Sequence, residues 1–475
     1  MAEKNQSRHS TPLEIADPGE LRISEAQKAE AVTVIIPEPA SDAGVIRPVH
    51  GVVNYAPLQN SGTTGRTAIR EKLRALKLPY SYFHDTPLEN PTLDLIDISR
   101  LFPIFTADAD DPANYRFTEN DEYLRQVIDS GLRVIFRLGE TIEVGEKKFR
   151  VKPPADFEKW AKICVNIVRH YNEGWADGFH WNIRDWAVWE EPNNPNLWHG
   201  EFHEYLRLYA TVAKIFKARF PHLNIGGPAT TTLGIKYLGE FLDFCRDEKL
   251  PLDFVIYTAY YLTPAELLAE THRRRRMLDE RGFHSVPLWI NEWHASPVWS
   301  SFPDPVGYRR EIERISGSDG AVFAAAVLCG LQDAPIERAC FYSVALPGGY
   351  GMFDVWRNPT PTYYVFEKFC RLFNHARRRI AVRTLNGNPD LQSLAAENRD
   401  GGIELLIGVY LRESKTIQVM VPDGFSVAVA ETLDENNPRF NAIEPNRMWL
   451  EDRVLELLKP EGAAAFFIEL IPSRV

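Results

Sequence analysis

The feature that most constrains this chain is a rhythm between residues 47 and 376, where short β-branched runs alternate with longer stretches of helical period. Eight of the runs read as strands. They are "VHGVVN" (Val49 to Asn54), "PYSYFHD" (Pro79 to Asp85), "LRVIFRLGE" (Leu132 to Glu140) and "RDWAVWEE" (Arg184 to Glu191). The other four are "NIGGPA" (Asn224 to Ala229), "LDFVIYTAYY" (Leu252 to Tyr261), "PLWINEW" (Pro287 to Trp293) and "RACFYSVA" (Arg338 to Ala345). Helical segments part nearly all of them, such as "DFEKWAKICVNIVRHY" (Asp156 to Tyr171) and "FHEYLRLYATVAKIFKARF" (Phe202 to Phe220). An earlier helix from Thr64 puts Ile69, Leu73 and Leu76 on one face. Parallel strands need such crossovers, so eight units predict an α/β fold, a (β/α)8 TIM barrel over 47–376. A doubly wound sheet would usually show a glycine-rich phosphate turn after its first strand, and none is present.

Past the helical run "PTYYVFEKFCRLF" (Pro361 to Phe373) the pattern changes. "GIELLIGVY", "TIQVMVP", "FSVAVAETL" and "AAAFFIELI" are short strands parted by Gly, Pro, Asp and Asn, with no helices between. That spacing predicts an accessory antiparallel β-sandwich domain over 377–475. "AVTVIIPEPA" holds one early strand, Val32 to Ile36, so 31–46 is expected to join the sandwich, and the unpatterned residues 1–30 read as a flexible tail.

Several classes of function are disfavoured. A net charge of -11 lacks the basic field of a general nucleic-acid binder. No segment is long and apolar enough to span a membrane; the nearest, "AVFAAAVLCGLQ" (Ala321 to Gln332), has the length of a buried helix. The N-terminus has no apolar core of a secretory signal, so a cytoplasmic location is the expectation. Five cysteines, an odd number at wide spacings, read as reduced core thiols rather than a disulfide framework or zinc site. No cofactor and no metal is expected, since no histidine stands at ligand spacing from the acids. "RRRR" (Arg273 to Arg276) reads as the solvated face of an outer helix.

A barrel of this kind carries its site at the C-terminal ends of the strands. The fourth strand ends in Glu190-Glu191 and the seventh in Asn291-Glu292, while the second ends in His84-Asp85 and the sixth carries Tyr257 and Tyr260. Glutamates on strands four and seven face each other across the mouth. Paired carboxylates suit glycoside hydrolysis, one protonated to serve the leaving oxygen and one ionised. A gap of about 5 to 5.5 Å gives retention through a covalent intermediate, and about 6.5 to 9.5 Å gives inversion.

"WAVWEEPNNPNLW" (Trp186 to Trp198) resembles the signature of glycoside hydrolase family 39, which includes β-xylosidases and α-L-iduronidases. "INEWHAS", "IGGPA", "YFHD" and "GGYGMFDVWRNPTPTYYVFEKF" are similar to further family segments in the same order. The resemblance implies a retaining glycosidase, β-xylosidase-like or a related exo-glycosidase, with a carbohydrate substrate. It makes Glu191 the acid/base and Glu292 the nucleophile. By the same resemblance His84 binds a sugar hydroxyl with Asp85 beside it, Tyr260 lies near the nucleophile, and Trp198 lies beside the sugar. Tyr342 takes a stacking position, and Trp293 either walls the pocket or fills the core. His294 reads as structural.

Two positions depart from the family pattern: Glu190 stands where an asparagine is usual, and Thr258 where a histidine is. Glu190 is placed in the substrate-binding set on three alternatives. It stays ionised for a cationic or unusually hydroxylated substrate, it shares a proton with Glu191, or it marks a site that binds without hydrolysing. The rival to the enzyme is therefore a silent carbohydrate-binding or scaffold protein on a glycosidase fold.

Overall fold

The computed structural model describes residues 32–35, 41–55, 64–86, 95–297, 304–344 and 350–473, apart from 355 and 357. The N-terminal tail expected over 1–30 lies outside the described residues. Strand β1 (Val32–Ile35) is followed by eight parallel strands that close into a barrel in chain order. These are β2 (Gly51–Val53), β3 (Tyr80–Tyr82), β4 (Arg133–Leu138), β5 (Asp185–Val188), β6 (Asn224–Thr230), β7 (Phe254–Tyr261), β8 (Leu288–Ala295) and β9 (Arg338–Phe341). Strand β9 returns to pair with β2, Cys340 opposite Gly51.

Alternation along each strand sorts side chains to the two faces. Inward residues, among them Tyr80, Tyr82, Ile135, Phe254 and Trp289, fill the barrel, and a larger apolar layer lies between strands and helices. Phe254 and Trp289 stack with centroids 4.0 Å apart. The Arg338 guanidinium lies 4.1 Å from the Trp289 ring centroid and reaches Asp185 at 2.5 Å, closing the floor with a paired charge.

Local signals set the helix ends. Asp156 accepts from the Lys159 N–H at 3.0 Å to start Phe157–Glu173, and Gly174 ends it at a φ of 73°. Thr263 and Glu266 form a capping box at the start of Pro264–Asp279. On that helix the expected solvated face of "RRRR" needs correcting. Arg273 and Arg276 are exposed, but Arg274 is buried, because Leu267, Thr271, Arg274 and Leu278 share the inner face. Its guanidinium binds Glu270 at 2.6 Å and the Thr232 carbonyl at 2.8 Å.

The C-terminal strands form two sheets around a separate apolar core. One sheet holds Ala376–Ile380, Leu391–Asn398, Ile403–Val409, Ala464–Pro472, Phe425–Asp434 and Asn437–Ala442 in spatial order. In the other, β1 sits between Arg383–Leu385, antiparallel, and Lys415–Met420, parallel. The helix Ser318–Gly330 is buried along nearly its whole length and lies against the first sheet. A Cβ on Gly408 would stand 2.5 Å from the Ala326 nitrogen, so the close approach requires glycine there. All five cysteines are buried and unpaired. Among the described residues no helix is long and apolar enough to cross a membrane.

Candidate active site

Backbone irregularities at the strand ends decide where the acids point. In β5, Trp186 and Val188 face the helices and Ala187 the barrel interior, so strict alternation would turn Trp189 inward and Glu190 outward. Trp189 instead takes a φ of 67° and packs outward, its ring 4.9 Å from that of Trp198. Its indole N–H donates to the Leu197 carbonyl at 2.7 Å. That break turns Glu190 inward, fully buried, and Glu191 follows at a φ of 40° with its N–H on the Ala229 carbonyl at 2.9 Å. Left-handed backbone at such residues costs roughly 1–3 kcal/mol each, and the surrounding bonds and ring packing hold it in place.

Strand β8 uses a different device. Against β7 the register runs from Tyr257–Ile290 to Thr258–Glu292, and against β9 from Ile290–Ala339 to Trp293–Phe341. Asn291 is the extra residue of a β-bulge, a device that re-aims side chains. Ile290 and Trp293 sit in the outer core, while Asn291 and Glu292 both contact residues across the barrel mouth.

Three carboxylates thereby meet different partners. Glu190 accepts the Tyr82 hydroxyl at Oε2 and the Asn291 amide at Oε1, the latter at 2.7 Å. Glu191 Oε2 accepts the Asn194 amide at 2.9 Å. Glu292 pairs with His84 Nε2, and His84 Nδ1 lies 3.1 Å from Asp85 Oδ2. Asp85, at a φ of 51°, accepts the Ile142 N–H on its other oxygen at 2.8 Å.

The electrostatics follow from these contacts. Burial pushes the Glu191 carboxyl up to about 7, with Glu292 adding to the rise and Asn194, His84 and Thr258 opposing it. Burial also pushes Glu190 up to about 8; His84 pulls it down, and Glu292 and Glu191 push it further up. For His84, burial favours the neutral ring, but Glu292 and Asp85 overcome it and hold the imidazolium well above its ordinary value. Burial would raise Asp85 likewise, and His84 keeps it low.

Tyr260 and Tyr342 stand edge to face at 6.2 Å, and the Tyr342 ring lies 5.4 Å from His84. With Tyr350, 5.9 Å from Tyr342, they form an aromatic wall beside Glu292. Trp198 and Trp293 do not join it. Trp198 is buried behind β5, its N–H on the Glu201 carbonyl at 3.0 Å, and Trp293 packs edge-on against Phe341 in the outer core. Both support the strand ends, because the turned backbone at Trp189 and the bulge at Asn291 commit them outward. Asp85 has both oxygens engaged by the protein, so it orients His84. His294, in the aromatic surroundings of Phe341 and Tyr350, bonds the Ala295 carbonyl at 3.0 Å.

Sequence reasoning passed over Tyr82, Asn194, Asn291 and Tyr350. Tyr82 had a signal, since it stands two residues before His84 and shares its face. Asn291 had one too, since period two from the inward Trp289 turns it into the barrel, whereas Glu292 comes inward beside it only through the bulge. Among the described residues no group of three His, Cys, Asp or Glu is arranged to hold a metal ion.

The fold has known counterparts. The chain is 25% identical over 403 residues to a β-xylosidase of Geobacillus stearothermophilus, covering 76% of this chain and 74% of that protein. Among solved structures, a glucosidase from Croceicoccus marinus superposes with a TM-score of 0.69 at 18% identity, over 94% of this chain and 99% of that one. A family 39 β-xylosidase from Caulobacter crescentus gives a TM-score of 0.63 at 17% identity, over 93% of this chain and all (100%) of that one. The family model for glycosyl hydrolases family 39 matches residues 93–402, spanning strands β4 to β9 and both glutamate-bearing strand ends. A closed barrel, two inward acids on β5 and β8 and that match over most of the barrel lead to one conclusion: the chain belongs to glycosyl hydrolase family 39 and is a retaining glycosidase acting on carbohydrate.

Proposed function

We propose that Glu191 is the acid/base and Glu292 the nucleophile, and that the substrate is a terminal β-xyloside or a closely related glycoside. One observation carries the assignment: the two acids meet different partners. Glu292 pairs with His84 Nε2, whereas Glu191 has only neutral hydrogen-bond partners and burial keeps its proton up to about 7, the form a general acid needs.

In the first step Glu191 gives its proton to the glycosidic oxygen as that bond breaks. A Glu292 oxygen forms an ester with the anomeric carbon. In the second step Glu191, now a carboxylate, takes a proton from water, whose oxygen attacks the same carbon and releases Glu292. His84 balances the charge of Glu292 before attack. Once the ester forms, its Nε2–H is released to meet a sugar hydroxyl. The β-xyloside preference is supported by the Geobacillus relative. Residues 47–376 form the catalytic unit in this reading, 377–475 the sandwich and 31–46 its joining strand.

A panel of aryl glycosides tests the proposal. Aryl β-D-xylopyranoside should be turned over by the native chain. Glu191→Ala should lose about 100- to 10,000-fold on poor leaving groups, while keeping fast glycosylation from dinitrophenyl glycosides and responding to added azide. Glu292→Ala should lose activity on both. Glycan binding without turnover on any sugar would replace the enzyme by a binding protein.

A further inference from the structure

Asn291 has no role in the two-step mechanism above, yet it is built into the site with unusual care. It is the bulged residue of β8, it is 2% exposed, and it lies directly before Glu292 in the chain. Its amide nitrogen donates to Glu190 Oε1 at 2.7 Å, across the barrel from β8 to β5. The other oxygen of Glu190 is taken by the Tyr82 hydroxyl from β3, so the carboxylate is clamped on both sides. The Asn291 carbonyl oxygen is buried with no hydrogen-bond partner. An amide with one end anchored and the other empty is poised for a donor that arrives from outside the protein. A buried acceptor without a partner is destabilising, and an incoming hydroxyl relieves that cost.

Position selects the hydroxyl. When Glu292 attacks the anomeric carbon, the nearest sugar hydroxyl is the one on the adjacent carbon. The residue one peptide away from the nucleophile, to whose side the bulge brings Glu292, is the one placed to meet it. Polarity agrees with that choice. As positive charge develops at the anomeric carbon, the neighbouring hydroxyl becomes a better donor, so a bond to an acceptor tightens in the transition state. Each Glu190 oxygen already accepts a bond from the protein, so the unpartnered Asn291 oxygen is the freer acceptor.

We propose that the Asn291 carboxamide oxygen accepts the 2-hydroxyl of the sugar undergoing cleavage, with Glu190 and Tyr82 acting as positioning residues that hold the amide in that orientation. The inference rests on Glu292 being the nucleophile. It also answers what the second acid of the Glu190-Glu191 pair is for: Glu190 does not touch the sugar but holds the side chain that does.

The test compares matched aryl glycosides that carry or lack the 2-hydroxyl, with the native chain, Asn291→Ala and Tyr82→Phe. For Asn291→Ala, kcat/KM on the 2-hydroxy substrate should fall roughly 30-fold while the 2-deoxy substrate changes less than about threefold. Tyr82→Phe removes a single hydroxyl and should show a smaller loss with the same selectivity, which keeps the test open if Asn291→Ala does not fold. Labelling of Glu292 by a 2-deoxy-2-fluoro glycoside, which has no 2-hydroxyl to lose, serves as the control in every variant. Equal loss on both substrates with Glu292 still labelled would overturn the role of Asn291 alone. Failure of the native chain to label at Glu292 would overturn the nucleophile assignment, and this inference with it.

Discussion

Glu191 and Glu292 differ less in chemistry than in company, and that difference makes their roles testable one residue at a time. In the role proposed for it Glu191 must be protonated to serve the leaving group, so kcat/KM on an unactivated glycoside should fall as pH rises through about 7. A dinitrophenyl glycoside, which needs no acid, should lack that limb in its glycosylation step. His84→Ala removes the imidazole that pairs with Glu292, so kcat/KM on an activated aryl glycoside should fall at least tenfold while the thermal midpoint holds. An unchanged kcat/KM would mean that the His84–Glu292 pair is only structural. At this scale the sequence was a good guide to identity: the acids, His84 and both tyrosines are all at the mouth. It was a poor guide to Trp198, because an aromatic near a sugar and an aromatic under a strand end look alike until the backbone is turned.

Strands and helices follow from period and caps, but their ends do not. Alternation located every barrel strand, and Ile69, Leu73 and Leu76 are buried on one face of the helix Thr64–Leu76. What alternation could not reach are the left-handed Trp189 and the bulge at Asn291. Both are departures from the periodicity that makes strands recognisable, and both lie where chemistry needs neighbouring side chains on one side. A further acid shows the energetic side of such strand ends. Glu140, just past β4, is buried and accepts the Ser99 N–H at 2.9 Å and its hydroxyl at 2.6 Å. Burial, with Asp97 adding to it, pushes its carboxyl up to about 8. A carboxyl whose folded value is raised stabilises the fold below its unfolded value near 4.5, and that contribution is lost as pH rises through about 8. Glu140→Gln should therefore flatten the decline in melting temperature between pH 5 and pH 8, measured by thermal unfolding. An identical slope in native and variant would contradict the buried-acid account.

The whole molecule is a barrel braced by a sandwich, and the brace is specific. Arg371, on the last barrel helix Pro361–His375, reaches Glu404 and Glu469 of the six-stranded sheet, each at 2.8 Å. Gly408 lets that sheet touch the buried helix Ser318–Gly330. Gly408→Val forces the two apart, so a loss of about 2–3 kcal/mol is expected from the urea midpoint, with kcat/KM little changed in the folded fraction. The chain-order closure of the barrel was legible from the eight units alone. The parallel pairing of β1 with Lys415–Met420 was not, because nothing in a four-residue strand records which distant partner it will find. The central claim, that this fold delivers Glu292 as the nucleophile, has one direct measurement. The native chain is incubated with dinitrophenyl 2-deoxy-2-fluoro-β-D-xyloside and digested, and the modified peptide is sequenced by mass spectrometry. One fluorosugar ester on Glu292 is predicted, and an ester on Glu190 or Glu191 with Glu292 unmodified would contradict it.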